Sequence, residues 1–406
     1  MRSSRINEIT VTPIPAFYRK EVGKNAFRDN IGKSCLEWLV RARTDSGFEG
    51  LTIANRYMHE FSDFCNSGGT VRGLLDVLSE VFLGKHTDEF LEVSSGCVKG
   101  VKPSVREAFR DHGWMSILAF DLLGREMGVS CVDLLAGRQR ERIEAYDTTL
   151  YFQEFLGAEG GLTQVAAEAQ ESARSGYRQF KIKTGRGGRW MLPEEGMRRD
   201  VDVVLAVREA VGREARLMVD ANFGYDGHLD LLEDFVRETL PADLLWLEEM
   251  ISAGVSGYRA LRKIQDKTGS KSWVVCGEVD RAPISPVFQD LVFEGLIDGY
   301  QPDIVGAGFS KWLEIESRLE KTAVRSIPHN FGNGNFGTRA GIIFGAASAS
   351  FVTLEDEMCL PNTYRTDNCT FGNGSYSLPD TPGLGLQIDE EKYQRVYAKH
   401  EARVHQ

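Results

Sequence analysis

The chain has 406 residues, 42% of them hydrophobic and 26% charged, with a formal net charge of −11. That is the balance of a globular protein long enough for a barrel of ordinary size and a second domain. The acidic excess argues against nucleic acid or an anionic membrane surface as main partner, because phosphate binding needs concentrated Lys and Arg, yet it allows a small cationic pocket for an anionic ligand.

Residues 6–12 alternate apolar and polar and predict a strand. Residues 14–32, with Pro15, Gly23 and Gly32, predict a long loop. Strands are expected over 34–44 and 50–54, then a loop with Asn55, Arg56, Tyr57 and His59. Helical patterns cover 69–83 and 104–127, the second closed by Gly128. These elements predict an α+β unit over residues 1–135.

Over 136–360 the rhythm changes. Eight strands are expected near 143–151, 179–184, 216–221, 244–249, 273–278, 299–304, 324–329 and 350–355. Helices are expected between them near 162–175, 194–211, 228–239, 255–268, 284–295, 309–320 and 338–348. Strand, polar residue, helix, repeated, is the layout of a (β/α) barrel, whose chemistry collects at the C-terminal ends of its strands. The tail, 361–406, is rich in Gly and Pro and is expected to run back over the first unit. The seven cysteines form no CxxC pair and predict reduced thiols in a cytoplasmic protein. Met1–Asn7 lacks the apolar run of a secretory signal, and no apolar stretch is long enough to span a membrane.

Six consecutive strand ends carry groups that can do chemistry. Lys181 and Lys183 are two apart on one strand and share a face. Two ammonium groups so placed lower each other's pKa, which would make one a usable general base. Asp220, Glu248 and Glu278 end the next three strands. Three carboxylates on adjacent barrel strands repel one another unless a cation binds, and an all-oxygen set suits Mg²⁺. Glu249, one residue beyond Glu248, is expected to face away. Asp303 and His329 end the sixth and seventh strands, where an aspartate on one imidazole nitrogen raises the basicity of the other. Glu355 ends the eighth and can exchange a hydrogen bond with a substrate oxygen. Each motif alone has a plainer reading: solvated lysines, strand-end acids, a capping aspartate, a core histidine. The register across six strands favours a site.

At this point the chain resembles the enolase superfamily, in its mandelate racemase-like subgroup. The resemblance covers nearly the whole length and includes Ser116–Arg125, the tail motif Leu378–Leu386 and the DxN asparagine Asn222. It implies a (β/α)7β barrel with an N-terminal α+β capping domain. It implies Lys183 as base, Lys181 on the substrate carboxylate, Asp220, Glu248 and Glu278 around one Mg²⁺ per subunit, Asp303–His329 as a dyad, and Glu355 as the strand-eight acid. Asn222, Glu355 and cap-loop residues Tyr18, Arg19, Asn55 and Arg56 are expected to touch substrate, with the cap loops closing over it. The family commonly has proline after the Glu-Glu pair, where this chain has Met250. The implied reaction removes the proton α to a carboxylate, with a Lys or His base acting beside the metal ion. Acid sugar dehydration to a 2-keto-3-deoxy acid is the expected outcome, with racemisation, epimerisation or lactone cycloisomerisation as alternatives. A homo-oligomer acting on a small carboxylate is expected.

Two rivals come from the same sequence. Gly332-Asn333-Gly334-Asn335-Phe336-Gly337 spells GxGxxG after a strand and before a helix, which points to an NAD-dependent oxidoreductase. Only one strand and an irregular tail follow it, too little for a dinucleotide-binding half. A barrel that keeps its metal but has lost catalysis would be a binding scaffold; here neither lysine and neither dyad member is missing.

Overall fold

The computed structural model describes residues 3–54, 71–153, 158–365 and 368–406. Strands β1 (Ile6–Val22), β2 (Gly32–Thr44) and β3 (Glu49–Ala54) form an antiparallel meander. β1 runs further than the sequence predicts, through part of the expected loop, with Pro13 and Pro15 inside it. These prolines share one strand edge, and the tail strand that covers this edge pairs only with residues 8–11. No ladder bond is therefore lost where the prolines lack an N–H. The helix Val71–Phe82 and a small hairpin, β4 (Leu91–Ser94) with β5 (Cys97–Val101), complete the outer part of this cap.

The helix predicted over 104–127 is two helices, Arg106–Asp111 and Trp114–Met127. The break falls at Gly113, where a Cβ would lie 2.2 Å from the Ala307 carbonyl oxygen. The helix Trp114–Met127 is buried on nearly every face and bonds both ways: Asp121 accepts from Leu51 N at 2.8 Å and Leu384 N at 2.7 Å. It thus joins cap sheet, tail and barrel.

Eight parallel strands close the barrel: β6 (Arg142–Leu150), β7 (Gln179–Lys183), β8 (Arg216–Asp220), β9 (Leu244–Glu248), β10 (Trp273–Cys276), β11 (Gly299–Tyr300), β12 (Arg325–Ser326) and β13 (Leu354–Asp356). β13 pairs with β6, and Ser326 bridges to Phe351, which seals the ring. The seven expected helices lie in the gaps, and Val255–Thr268 matches its predicted range. Tyr146, Met218, Trp246, Val275 and Ile327 form a separate buried cluster that fills the lumen. This apolar plug lies two or three residues before the polar strand ends and gives them a dry floor.

The tail adds β14 (Tyr364–Arg365), β15 (Phe371–Gly372), β16 (Ser375–Ser377), β17 (Gln387–Ile388) and the helix Glu390–Val396. It ends in β18 (Ala402–His405), antiparallel to β1, so the last residues close the cap sheet. None of the described helices is long and apolar enough to cross a membrane.

The candidate active site

The strand ends converge as their spacing predicts. Asp220, Glu248 and Glu278 bring carboxylate oxygens within 4.8 Å of one another. Asp220 and Glu248 reach the lumen by strand alternation, two residues above Met218 and Trp246. Glu278 is three residues above Val275 and needs a change of phase. Gly277 supplies it at φ +123°, and a Cβ there would meet the Tyr300 ring at 2.7 Å. Glu249 is not part of this cluster. It sits at φ +41°, buried, with neither carboxylate oxygen hydrogen-bonded among the described residues. Burial, with Glu278 and Asp220 nearby, holds its pKa well above the usual carboxylate range. Met250, where proline is common, is buried, and its carbonyl accepts from Tyr225 N at 3.2 Å, which ties this loop to the turn after β8.

Both lysines lie over the carboxylates. Lys181 Nζ is 2.7 Å from Glu248 and 2.7 Å from Glu355. Lys183 Nζ bonds to Asp220 and, at 3.0 Å, to Asn222 Oδ1. The expected lowering of the lysine pKa by mutual repulsion is outweighed. Burial lowers Lys183, and Lys181 adds to that, but Asp220, Tyr151 and Glu278 together outweigh them and leave the ammonium above its ordinary range. Lys181 is likewise raised, by Glu248 and Glu355 acting against burial. Two cations alone would lower each other; the acids they face reverse the sign.

Those acids respond in kind. Burial raises Asp220, but Lys183 and Lys181 outweigh it and hold the carboxyl below its ordinary value. Burial pushes Glu248 up to about 8; Lys181 opposes this, and Asp220 and Glu355 add to it. Burial also raises Glu355, but Lys181 and His329 prevail and keep it well below the carboxylate range. Glu355 is further fixed by Thr148 Oγ1 at 2.6 Å and Asn330 N at 2.7 Å.

Across the cluster, His329 Nδ1 lies 3.0 Å from Asp303 Oδ2, and its Nε2 lies 3.4 Å from Glu278. Asp303 also caps the helix Ile304–Leu319, accepting from Val305 N and Gly306 N, and accepts from Asn333 Nδ2 at 2.8 Å. These bonds orient the carboxylate and through it the imidazole.

Of the cap residues, Tyr18 is buried and stacks on Phe331 with centroids 5.8 Å apart, whereas Arg19 is exposed. The sequence-predicted contacts Asn55 and Arg56 lie outside the described residues. Three contributors were not singled out from sequence. Tyr151, just past β6, packs on Phe331 and presents its ring 5.1 Å from Lys183 Nζ. Trp246 Nε1 donates to Glu248 at 2.9 Å, and Asn333 holds Asp303. A tyrosine or tryptophan on a barrel strand reads as core; only its position one strand from a lysine or two residues before a carboxylate signals more.

The GxGxxG segment binds protein carboxylates. Asn333 N and Gly334 N both donate to Glu357 Oε1 at 2.9 Å, and Asn335 N donates to Glu37 at 2.9 Å. Amides that would cradle a pyrophosphate are already taken, and a Cβ at Gly334 would meet Glu37 at 2.0 Å.

Residues 164–392 match the enolase C-terminal domain-like family. The chain belongs to that family. It is 28% identical over 291 residues to a D-galactarolactone cycloisomerase from Agrobacterium fabrum, covering 68% of this chain and 71% of that protein. It is 22% identical to an N-succinyl-L-Arg/Lys racemase from Bacillus cereus, covering 88% of this chain and 89% of that one. Among solved structures it is similar to a Geobacillus sp. galacturonate dehydratase variant complexed with Mg, at TM-score 0.83 and 25% identity, over 99% of this chain and 97% of that chain. A second structure of a Geobacillus sp. galacturonate dehydratase, complexed with D-galacturonate and 5-keto-4-deoxy-D-galacturonate, matches at TM-score 0.80 and 25% identity, covering 98% of this chain and 99% of that one. The chain is therefore an enolase-superfamily enzyme, a lyase or isomerase, built as a barrel with an N-terminal cap.

Proposed function

We propose that this enzyme removes the proton α to the carboxylate of an acid sugar and expels the β-hydroxyl as water, giving a 2-keto-3-deoxy acid. The observation that carries the reading is the placement of two acid/base groups on opposite sides of one carboxylate cluster, with Lys183 against Asp220 and His329 against Glu278.

The donor set fits Mg²⁺: three carboxylates, two of them fully buried, on adjacent strands, with their oxygens close enough to share one hard cation. Asp220, Glu248 and Glu278 would hold it. Bound Mg²⁺ would supply positive charge beside the substrate carboxylate, where negative charge develops as the α-proton leaves. The chain's own groups do the rest. Lys183 Nζ, beside Asp220 and Asn222, takes the α-proton. Lys181, fixed between Glu248 and Glu355, balances charge on the substrate carboxylate. His329, oriented through Nδ1 by Asp303, delivers a proton from Nε2 to the departing hydroxyl. The C–H and C–O bonds break, water leaves, and the resulting enol tautomerises to the ketone. The dry floor of Tyr146, Met218, Trp246 and Val275 keeps solvent from below the site.

D-Galacturonate is the first candidate substrate. The Geobacillus neighbour is complexed with D-galacturonate and 5-keto-4-deoxy-D-galacturonate, and the latter carries its keto group beside the carboxylate, the outcome this geometry favours. Cycloisomerisation of a sugar lactone is the second reading, supported by the 28% identity to D-galactarolactone cycloisomerase. The test is a panel of D-galacturonate, D-gluconate, D-arabinonate, galactarate and D-galactarolactone, incubated with Mg²⁺ and read by semicarbazide reaction and by NMR. A semicarbazide-reactive 2-keto-3-deoxy product from a member of the panel is expected. Inversion at the α-carbon alone, or lactone rearrangement without a keto product, would replace dehydration by the isomerase reading.

A further inference from the structure

A second cluster of metal-ligating side chains lies at the seam between cap and barrel. Cys35 and Glu37 are two apart on β2 and share a face. Glu357 and Cys359 are two apart in the segment that follows β13 and face them. Cys35 Sγ, Cys359 Sγ and a Glu357 carboxylate oxygen all lie within 4.8 Å of one another, and Cys35 Sγ is 4.0 Å from Glu357 Oε2. A tetrahedral ion with bonds of about 2.3 Å to sulfur spaces its ligands by roughly 3.8 Å, so small shifts bring this set to bonding distance.

We propose that Cys35, Cys359 and Glu357 form a structural site for a thiophilic divalent cation such as Zn²⁺, separate from the catalytic carboxylates. Three features support it. First, the Glu357 carboxylate is already oriented: Oε1 accepts from Asn333 N and Gly334 N, while Oε2 is the oxygen toward the thiol. Second, the elements are anchored. Tyr18 bridges to Cys359, Arg19 N donates to Met358 O at 3.2 Å, and Leu360 N donates to Phe17 O at 2.7 Å. Third, two buried acids meet here. Glu37 and Glu357 are buried, and none of the neighbours that act most strongly on Glu37 is cationic. A divalent cation at the thiols would place positive charge beside both acids. Glu37 or a water would take the fourth position. Binding releases the two thiol protons to solvent, so affinity rises with pH.

The experiment uses the full-length reduced protein, stripped with chelator, saturated with Mg²⁺ and titrated with Co²⁺ as spectroscopic probe and then Zn²⁺ as competitor. A thiolate-to-cobalt charge-transfer band saturating at one equivalent, bleached by Zn²⁺, is expected. It should survive Glu248→Gln, which alters the catalytic cluster, and disappear in Cys35→Ser and in Cys359→Ser. Glu357→Gln keeps both thiols and should weaken binding by about tenfold or more. Circular dichroism establishes that each variant is folded. Should both serine variants misfold, the Glu357→Gln titration decides. Absence of the band in the wild type, its persistence in a folded serine variant, unchanged affinity in Glu357→Gln, or a Cys35–Cys359 disulfide in protein isolated under reducing conditions would overturn the proposal.

Discussion

Lys183 and His329 reach the same carboxylate cluster from strands β7 and β12, and their supports differ in kind. Lys183 is held by charge, through Asp220 and Asn222, whereas His329 is held by orientation, through Asp303 and Asn333. Substitution should therefore separate the two half-reactions. Lys183→Ala is expected to lower kcat by about 10³-fold or more and to abolish exchange of the α-proton in D₂O. His329→Asn should lower dehydration comparably while a substrate whose α-proton faces Lys183 still exchanges. NMR of substrate recovered from D₂O reads both, and dehydration by either variant at the wild-type rate would remove that residue from the mechanism. At this scale the sequence revealed identities better than states. The convergence of the three carboxylates, of Asp303 with His329 and of the KxK lysines was legible because each ends a strand. The protonation state of Lys183 was not, because it depends on which acids face the ammonium across the barrel. Tyr151 was missed because nothing local distinguishes an aromatic that contacts a strand-end lysine from one that fills a core.

Among the elements, β10 depends on a single backbone conformation. Gly277 at φ +123° turns Glu278 into the lumen, and any side chain there meets the Tyr300 ring. Gly277→Ala is predicted to cost roughly 1–3 kcal/mol from the conformation alone, more with the clash, and to weaken Mg²⁺ binding by displacing Glu278. Thermal melting and Mg²⁺ titration measure the two effects; unchanged Mg²⁺ affinity would separate Gly277 from the placement of Glu278. Strand β2 carries a pH-dependent liability. Burial, reinforced by the charge of Glu357, pushes the Glu37 carboxyl up to about 8. The folded pKa is above the unfolded one, so the contribution to stability is present at low pH and lost as pH rises through about 8. In the presence of chelator the melting temperature should fall over that interval, and Glu37→Gln should flatten the slope. An equal slope in the variant would assign the effect to other groups. Most barrel elements were legible from their period. The extension of β1 was not, because Pro13 and Pro15 read as strand breakers until β18 is seen to leave their edge uncovered. The break at Gly113 was hidden for a similar reason: the carbonyl that demands it belongs to residue 307, on a different element.

At the scale of the whole molecule, the tail returns to complete the cap sheet, and the seam between cap and barrel runs past Tyr18, Phe331 and Tyr151 to Lys183. Cap and barrel thus meet beside the strand-end lysine, with Tyr18 of the cap at that seam. That return was foreseeable in outline from the Gly- and Pro-rich tail, but its pairing with β1 rests on four residues, too few for a period to show. The central claim is that the cluster serves removal of a proton next to a carboxylate followed by loss of water. Its most direct test is to turn over a responsive acid sugar in D₂O with Mg²⁺ and locate deuterium in the product by NMR. The account predicts a keto group at the former α-carbon, one solvent deuterium at the carbon that lost its hydroxyl, and no reaction after chelation until Mg²⁺ is restored. Turnover that retains the α-C–H bond, or that proceeds undiminished in chelator, would contradict it.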